Sequence, residues 1–304
     1  MEKRWACKPT AERLLGETRT KVEELGSRGI QPHLAVILVG ANPASQVYVR
    51  NKIKTCESLG IGSTFRECSE QISTAELLAE VYRLNQDPLV HGILVQLPLP
   101  PQVDERLIIA AIDPDKDVDG FHPINVGRLS QGEPGLFPCT PMGVMELLKD
   151  SELSLKGMHA VVVGRSNIVG KPMAQLLLAQ HCTVTIMHSR TRDPQTLCRQ
   201  ADLVVVAVGR TGMVDASWLK EGAYVVDVGM NQITDPDQAQ QLIRPGSKKM
   251  AAFDRDGKVL YGDVHYDSAL EKAAKVTPVP GGVGKLTIAH LMVNCVRAAE
   301  RKTR

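Results

Sequence analysis

Short runs of aliphatic and β-branched residues alternate with helical stretches along this chain, and that alternation restricts the fold more than any other feature. His33–Val39 (His-Leu-Ala-Val-Ile-Leu-Val) stops at Gly40 and reads as a buried strand. Asn42-Pro43 follows as a helix N-cap with proline at the first helical position, and a helix is expected over 44–59, stopped by Gly60. A strand over 63–67, a helix over 74–85 and a strand over 91–95 complete a β-α-β-α-β unit, the pattern of a parallel sheet covered by helices. The rhythm restarts after a helix at 142–148, with strands at 160–163, 183–187, 203–206 and 224–228 and helices at 169–179 and 194–199. A last helix is expected over 286–301. The fold class is therefore α/β with two domains, which suits 304 residues.

Residues 113–142 interrupt the pattern with Pro114, Gly120, Pro123, Gly127, Gly132, Pro134, Gly135, Pro138 and Pro141. They read as a long loop, and such loops are usually functional or join domains. With 36 basic against 34 acidic residues, net charge predicts no nucleic-acid or membrane partner, and aromatics at 4% leave little for base stacking. No run approaches a membrane span, and Met1-Glu2-Lys3-Arg4-Trp5 lacks the apolar core of a signal peptide, so a cytoplasmic protein is expected. The seven cysteines are widely spaced without a Cys-x-x-Cys pair, so they read as buried reduced thiols; no metal site is expected.

The strand at 160–163 runs into Gly164-Arg165-Ser166-Asn167-Ile168-Val169-Gly170 and a helix. A glycine-rich turn in that position offers backbone N–H groups and a helix N-terminus to a pyrophosphate. The second glycine of the usual dinucleotide fingerprint is Ser166, which would keep the backbone farther from the phosphates. The next strand ends where NAD-preferring folds place an acid, yet the chain reads His188-Ser189-Arg190-Thr191-Arg192, with no carboxylate before Asp193. Two arginines and two hydroxyls favour a 2′-phosphate, so the cofactor is inferred to be NADP. Gly282-Val283-Gly284-Lys285-Leu286-Thr287 imitates a P-loop, but Val279 and Leu286 stand at its required glycine and hydroxyl positions, so that reading is rejected.

Tyr48 and Lys52 lie four residues apart on one helix face. Gln96 follows the strand at 91–95, where ligands of parallel sheets bind, and Asp119 lies in the long loop. A lysine beside a polar amide and an apolar wall suits acid/base work.

These segments together resemble one family. Tyr48-x-x-x-Lys52, Val95-Gln96-Leu97-Pro98-Leu99-Pro100, Lys116-Asp117-Val118-Asp119-Gly120 and Pro138-Cys139-Thr140-Pro141 are similar to motifs of the bifunctional 5,10-methylenetetrahydrofolate dehydrogenase/5,10-methenyltetrahydrofolate cyclohydrolases. So are Gly164-Arg165-Ser166-x-x-Val169-Gly170-x-Pro172 and Pro278-Val279-Pro280-Gly281-Gly282-Val283-Gly284, and all six occur in the family's order. The resemblance implies two α/β domains flanking a cleft. A folate/catalytic domain would comprise residues 1–145 with 285–304, and a Rossmann-type NADP domain residues 146–284, the last helix returning to the first domain. It implies Lys52 as the acid/base of hydrolysis, Gln96 as the residue that positions it, and Tyr48 against the pterin. Asp119 would bind the pterin N3–H and 2-amino group, with Val95, Leu97 and the Pro280, Gly281, Gly282, Val283 and Gly284 loop lining the folate. Gly164, Arg165, Ser166, Ser189 and Met230 would hold NADP. The partners implied are tetrahydrofolate one-carbon derivatives and a second copy of the chain in a homodimer. A monofunctional NADP-dependent dehydrogenase and a catalytically silent folate- or NADP-binding protein are the alternatives. Lys285-Leu286 replaces the family's usual Pro-Met, and His265-Tyr266 its usual Asp-Phe.

Overall fold

The computed structural model describes residues 3–301. Met1 and Glu2 of the leader reading, and residues 302–304 of the expected C-terminal segment, lie outside the described residues. The chain divides into two compact units: Ala11–Cys139 with the residues from Thr287 onward, and Thr140–Leu286 with the residues up to Thr10.

The first unit holds most of α1 (Lys8–Gly26), then β1 (His33–Val39), α2 (Pro43–Leu59), β2 (Gly62–Cys68), α3 (Thr74–Gln86), β3 (Gly92–Val95), α4 (Glu105–Ala111) and α5 (Pro123–Gln131). β1 is central in a parallel sheet of order β2-β1-β3. Its continuous apolar run is explained by burial on both faces. Leu34, Val36 and Leu38 pack with Val49, Cys56 and Leu59 of α2, while Ala35, Ile37 and Val39 pack with Leu77, Val81 and Leu84 of α3. Because β2 and β3 flank β1 on opposite sides, the strand order reverses at the carboxyl end of β1, the place where parallel sheets take ligands.

The expected loop over 113–142 contains α5 and the start of α6 (Cys139–Asp150). Its Pro and Gly residues are partly helix punctuation: Pro123 opens α5 behind the N-cap His122, and Gly132 closes it in the left-handed conformation at φ 72°.

The second unit contains most of α6, then β4 (His159–Val163), α7 (Gly170–Ala179), β5 (Thr183–Met187), α8 (Pro194–Cys198), β6 (Leu203–Val206) and β7 (Tyr224–Asp227). An antiparallel ribbon follows, β8 (Asn231–Ile233) and β9 (Val259–Tyr261), with α9 (Pro236–Leu242) and α10 (Lys248–Asp256) between its strands. α11 (Tyr266–Lys272), β10 (Lys275–Val276) and the start of α12 (Val283–Arg301) complete it. The parallel sheet has the order β10-β7-β6-β4-β5. β4 lies between β5 and β6, so here the order reverses at the carboxyl end of β4. The first residues depart from the expected grouping with the folate block. Trp5 N–H donates to Val276 O at 2.8 Å and Val276 N–H to Lys3 O at 2.8 Å, which extends this sheet beyond β10.

From Thr287 onward α12 belongs to the first unit, where Leu291, Met292, Cys295, Val296 and Ala299 join the β1–α2 core. No helix among the described residues is long and apolar enough to cross a membrane.

Candidate active site

In the first unit the predicted residues Lys52, Tyr48, Gln96 and Asp119 form one constellation. Asn42 caps α2, its Oδ1 accepting from Ser45 N–H at 3.1 Å, and this fixes the helix that carries Tyr48 and Lys52. Lys52 is only 7% exposed, and its ammonium donates to Gln96 Oε1 at 3.0 Å. Gln96 Nε2 donates in turn to Leu97 O at 2.7 Å, so the amide is held with its oxygen toward the lysine. The Gln96 backbone is tied to Ile37 O of β1 at 2.9 Å, which sets it at the reversal of strand order. Val95 is buried in the sheet core behind it. Tyr48, half-buried one turn before Lys52, has its hydroxyl pKa raised by burial.

The Lys-Asp-Val-Asp-Gly segment divides its work residue by residue. Lys116 donates to the carbonyls of Leu84, Asn85 and Asp87 at 2.7–3.0 Å, which caps the end of α3. Asp117 accepts from Gly120 N–H, His122 N–H and Asn125 Nδ2 at 2.8–3.1 Å and shapes the turn. Val118 enters the core against Gly92, where a Cβ would come within 2.6 Å of its Cγ1. Gly120 adopts φ +75° against the Phe137 backbone, with no room for a side chain. Asp119 remains as the carboxylate not spent on the scaffold. Burial pushes it above the ordinary carboxylate range, opposed by the nearby Lys52 ammonium.

Sequence reasoning missed the support beneath this loop. Fully buried Asn294 of α12 donates to Val118 O and to Phe137 O, each at 2.9 Å, and Cys139 Sγ–H donates to Val118 O at 3.2 Å. The partners lie more than 150 residues apart in the chain, so no local pattern announces them.

The second unit carries a groove of about 710 Å³ at the carboxyl ends of β4, β5 and β6. Gly164, Arg165, Ser166, Ser189 and Thr191 of the two turns line it. A Cβ at Gly164 would lie 2.2 Å from Ala207 O, and one at Gly170 2.3 Å from Gly164 O, so the close turn demands glycine twice. Ser166 Oγ accepts from Val169 and Gly170 N–H, each at 3.2 Å, which ties the turn to the start of α7. The turn after β5 is organised by Thr191, whose hydroxyl accepts from His188 N–H at 2.9 Å, leaving Arg190 and Arg192 exposed. Met230 is not among the groove's lining residues. It sits at Gly284, whose added Cβ would lie 3.0 Å from its methyl group.

Two buried carboxylates, also missed from sequence, lock the far wall. Asp263 accepts from Val208, Gly209 and Arg210 N–H at 2.6–2.9 Å and from Asn231 Nδ2 at 2.8 Å. Asp227 accepts from Gly229, Asp263 and Val264 N–H at 2.9–3.0 Å, and burial with Asp263 nearby pushes it up to about 7. In the same segment His265 caps α11 through Nδ1 at 3.3 Å from Ser268 N–H, the task an aspartate there would perform. Pro280–Gly284 lie in this unit, where Gly282 fits only as glycine, its Cβ falling 2.1 Å from Pro278 O. Lys285 is exposed and Leu286 is buried against Gly143.

A glycine-tight groove where a Rossmann sheet reverses, with cations where an acid would mark NAD, defines an NAD(P)-dependent oxidoreductase. Comparison with known proteins narrows the class. Residues 5–119 match the tetrahydrofolate dehydrogenase/cyclohydrolase catalytic domain, and residues 138–303 the NAD(P)-binding domain of the same enzymes. A bifunctional protein FolD of Solibacter usitatus is 54% identical over 96% of this chain and 95% of its own length. The bifunctional FolD of Campylobacter jejuni superposes with a TM-score of 0.87 at 45% identity, covering 98% of both chains. A FolD of Trypanosoma brucei, solved with NADP cofactor and an inhibitor, gives 0.89 at 36% identity over 99% of this chain and 98% of its own. The chain belongs to the tetrahydrofolate dehydrogenase/cyclohydrolase family.

Proposed function

We propose that this enzyme oxidises 5,10-methylenetetrahydrofolate to 5,10-methenyltetrahydrofolate with NADP and hydrolyses that product to 10-formyltetrahydrofolate. The observation that carries the reading is the 3.0 Å bond from Lys52 to Gln96 at the strand reversal, with Asp119 electrostatically coupled to the same ammonium.

The groove fits the cofactor by its glycine-only turn and its donor set. Gly164 and Ser166 would receive the pyrophosphate, and Arg165 and Ser189, with Arg190 or Arg192, the 2′-phosphate. Bound NADP supplies the hydride acceptor. Hydride loss from the methylene carbon leaves a cation stabilised by the lone pairs of two flanking nitrogens, so the protein needs no base for that step and mainly holds the carbon in place. Asp119 presents two acceptors to the adjacent N3–H and 2-amino donors of the pterin, and Tyr48 lies against its face. Hydrolysis needs proton transfer at the attacking water and at the leaving nitrogen. Lys52 manages both, and Gln96 Oε1 keeps its ammonium aimed. The intact Tyr48, Lys52 and Gln96 favour two activities over a dehydrogenase alone.

The test is a pair of steady-state assays on the purified chain, NADPH formation from methylenetetrahydrofolate and loss of methenyltetrahydrofolate. Both activities are expected. Dehydrogenase alone would mark a monofunctional enzyme, and neither a silent binding protein. The family further leads us to expect a cytoplasmic homodimer, which sedimentation of the purified protein checks.

A further inference from the structure

The dinucleotide groove holds a second arginine, from a turn that no sequence motif marks. Arg165 lines the groove from the turn after β4, and Arg210 lines it from the turn after β6. Arg190 and Arg192 are not among the lining residues. Arg165 and Arg210 are both exposed, and neither makes an ion pair among the described residues.

The turns after β4 and β6 are built for different tasks. The first leads into the N-terminus of α7, where a pyrophosphate finds backbone donors. In the second those donors are already spent. Val208, Gly209 and Arg210 N–H all donate to the fully buried Asp263 at 2.6–2.9 Å. Gly212 N–H to Gly262 O at 3.0 Å and Met213 N–H to Arg210 O at 3.3 Å close the turn further. It therefore offers none of those three donors to an anion, and the carboxylate beneath it would repel one. What it presents is the Arg210 side chain on a braced backbone. β4 lies between β5 and β6, so this wall stands across the groove from the Ser189 turn. Pro194, Met213 and the largely buried Trp218 add apolar lining.

With the pyrophosphate assigned to Gly164 and Ser166, and the 2′-phosphate to Arg165 and Ser189, the adenine is the uncharged planar group left for this groove. It is carried on the same ribose as the 2′-phosphate. We propose that Arg210 lays its guanidinium on the adenine face, a base contact common to NADP and NAD that leaves their discrimination to Arg165 and Ser189. The inference rests on the cofactor site of the proposed function. A guanidinium is planar and more weakly hydrated than an ammonium, so it stacks on a π face in a way that lysine does not reproduce.

The experiment is calorimetric titration with 5′-AMP and with adenosine 2′,5′-bisphosphate, which reads the contact without folate or turnover. Arg210→Ala should weaken both ligands by the same factor, about fivefold, the scale of one cation–π contact. Arg210→Lys should weaken them nearly as much, because it restores the charge without the plane. The advantage of the bisphosphate over 5′-AMP should survive in both variants and shrink in Arg165→Ala. In the dehydrogenase assay, Arg210→Ala should raise KM for NADP and for NAD in parallel. A loss confined to the bisphosphate, or full recovery in Arg210→Lys, would make Arg210 a phosphate-pairing cation and overturn the stacking contact. Unchanged binding of both fragments in Arg210→Ala would remove Arg210 from the cofactor site while leaving that site in place. A wild type that binds neither fragment would overturn the dinucleotide reading of the groove and the contact with it.

Discussion

The two sites solve the binding of charge in opposite ways. Around Lys52 the ionisable groups are buried or half-buried in a braced scaffold: Lys52 is held by Gln96, Asp117 by three donors, and the Asp119 loop by Asn294. Around the dinucleotide turn the backbone is rigid, but Arg165, Ser189, Arg190 and Arg192 stand in solvent. Desolvation in the first site is met on folding, so its groups act at full strength on the bound pterin. In the second it is deferred until an anion arrives, so selectivity there is weaker and screened by salt. Each site can be broken in a way that distinguishes the two regimes.

The largest effect is expected from Lys52→Met. Cyclohydrolase activity should fall by about 10²–10⁴-fold, the scale of a lost general acid/base, with the dehydrogenase hit much less. Steady-state rates for both reactions check it. Equal loss of the two at unchanged folate affinity would remove the division of labour between them.

Asp119→Ala comes next. Losing a buried charged acceptor should weaken folate binding by about 1.5–3 kcal/mol and leave NADP affinity intact. Calorimetric titration with each ligand reads both numbers, and unchanged folate affinity would place Asp119 outside the pocket. Because the site is buried, the loss should persist at high salt.

Burial also has a cost in that unit, and His290 exposes it. The side chain is 1% exposed, neither ring nitrogen has a partner among the described residues, and burial with Arg297 nearby pushes its pKa down to about 3. Between pH 6.5 and about 3 the unfolded chain therefore binds a proton that the folded chain refuses, so stability is lost as pH falls through that window. At pH 5 the loss is about 2 kcal/mol. His290→Met, close in volume, should shrink the difference in unfolding free energy between pH 7 and pH 5 by that amount, measured by denaturant titration. An unchanged acid limb would mean that the protonated ring is accommodated.

The legible parts of this molecule were those written in neighbouring residues. β1 announces itself by seven apolar-rich positions in a row, Gly164 to Gly170 by spacing, and Tyr48 with Lys52 by a single helical turn. What stayed hidden depends on partners far along the chain. Asn294 looks like any polar residue on α12 until it meets Val118 and Phe137, and Asp263 looks like a surface acid until three consecutive N–H groups close on it. α1 escaped for a different reason. Its buried stripe of Ala11, Leu14, Thr18, Val22 and Leu25 has helical spacing, but a threonine interrupts the apolar signal by turning its hydroxyl onto Leu14 O at 2.7 Å. In 113–142 the prolines and glycines that read as loop include the N1 and C′ residues of α5.

The smallest effect is expected at the exposed site, and its size is the point of the comparison. The turn after β5 has no carboxylate for the NAD ribose, and its cations would meet a 2′-phosphate, so the wild type should prefer NADP by about tenfold or more in kcat/KM. Arg165 is solvent-exposed and makes one contribution among several, so Arg165→Ala should cost only about 1 kcal/mol, or roughly fivefold, in NADP efficiency and spare NAD. The assay belongs in phosphate-free buffer, because inorganic phosphate would fill the anion site when NAD is bound. Raising the ionic strength to about 1 M, where the screening length is about 3 Å, should erode the wild-type preference toward that of the variant. An Arg165→Ala effect that matched Asp119→Ala in size and ignored salt would mean that the guanidinium becomes buried on cofactor binding, and the contrast between a prepaid and a deferred site would fail. Equal efficiency with NAD and NADP in the wild type would remove the phosphate reading of the turn itself.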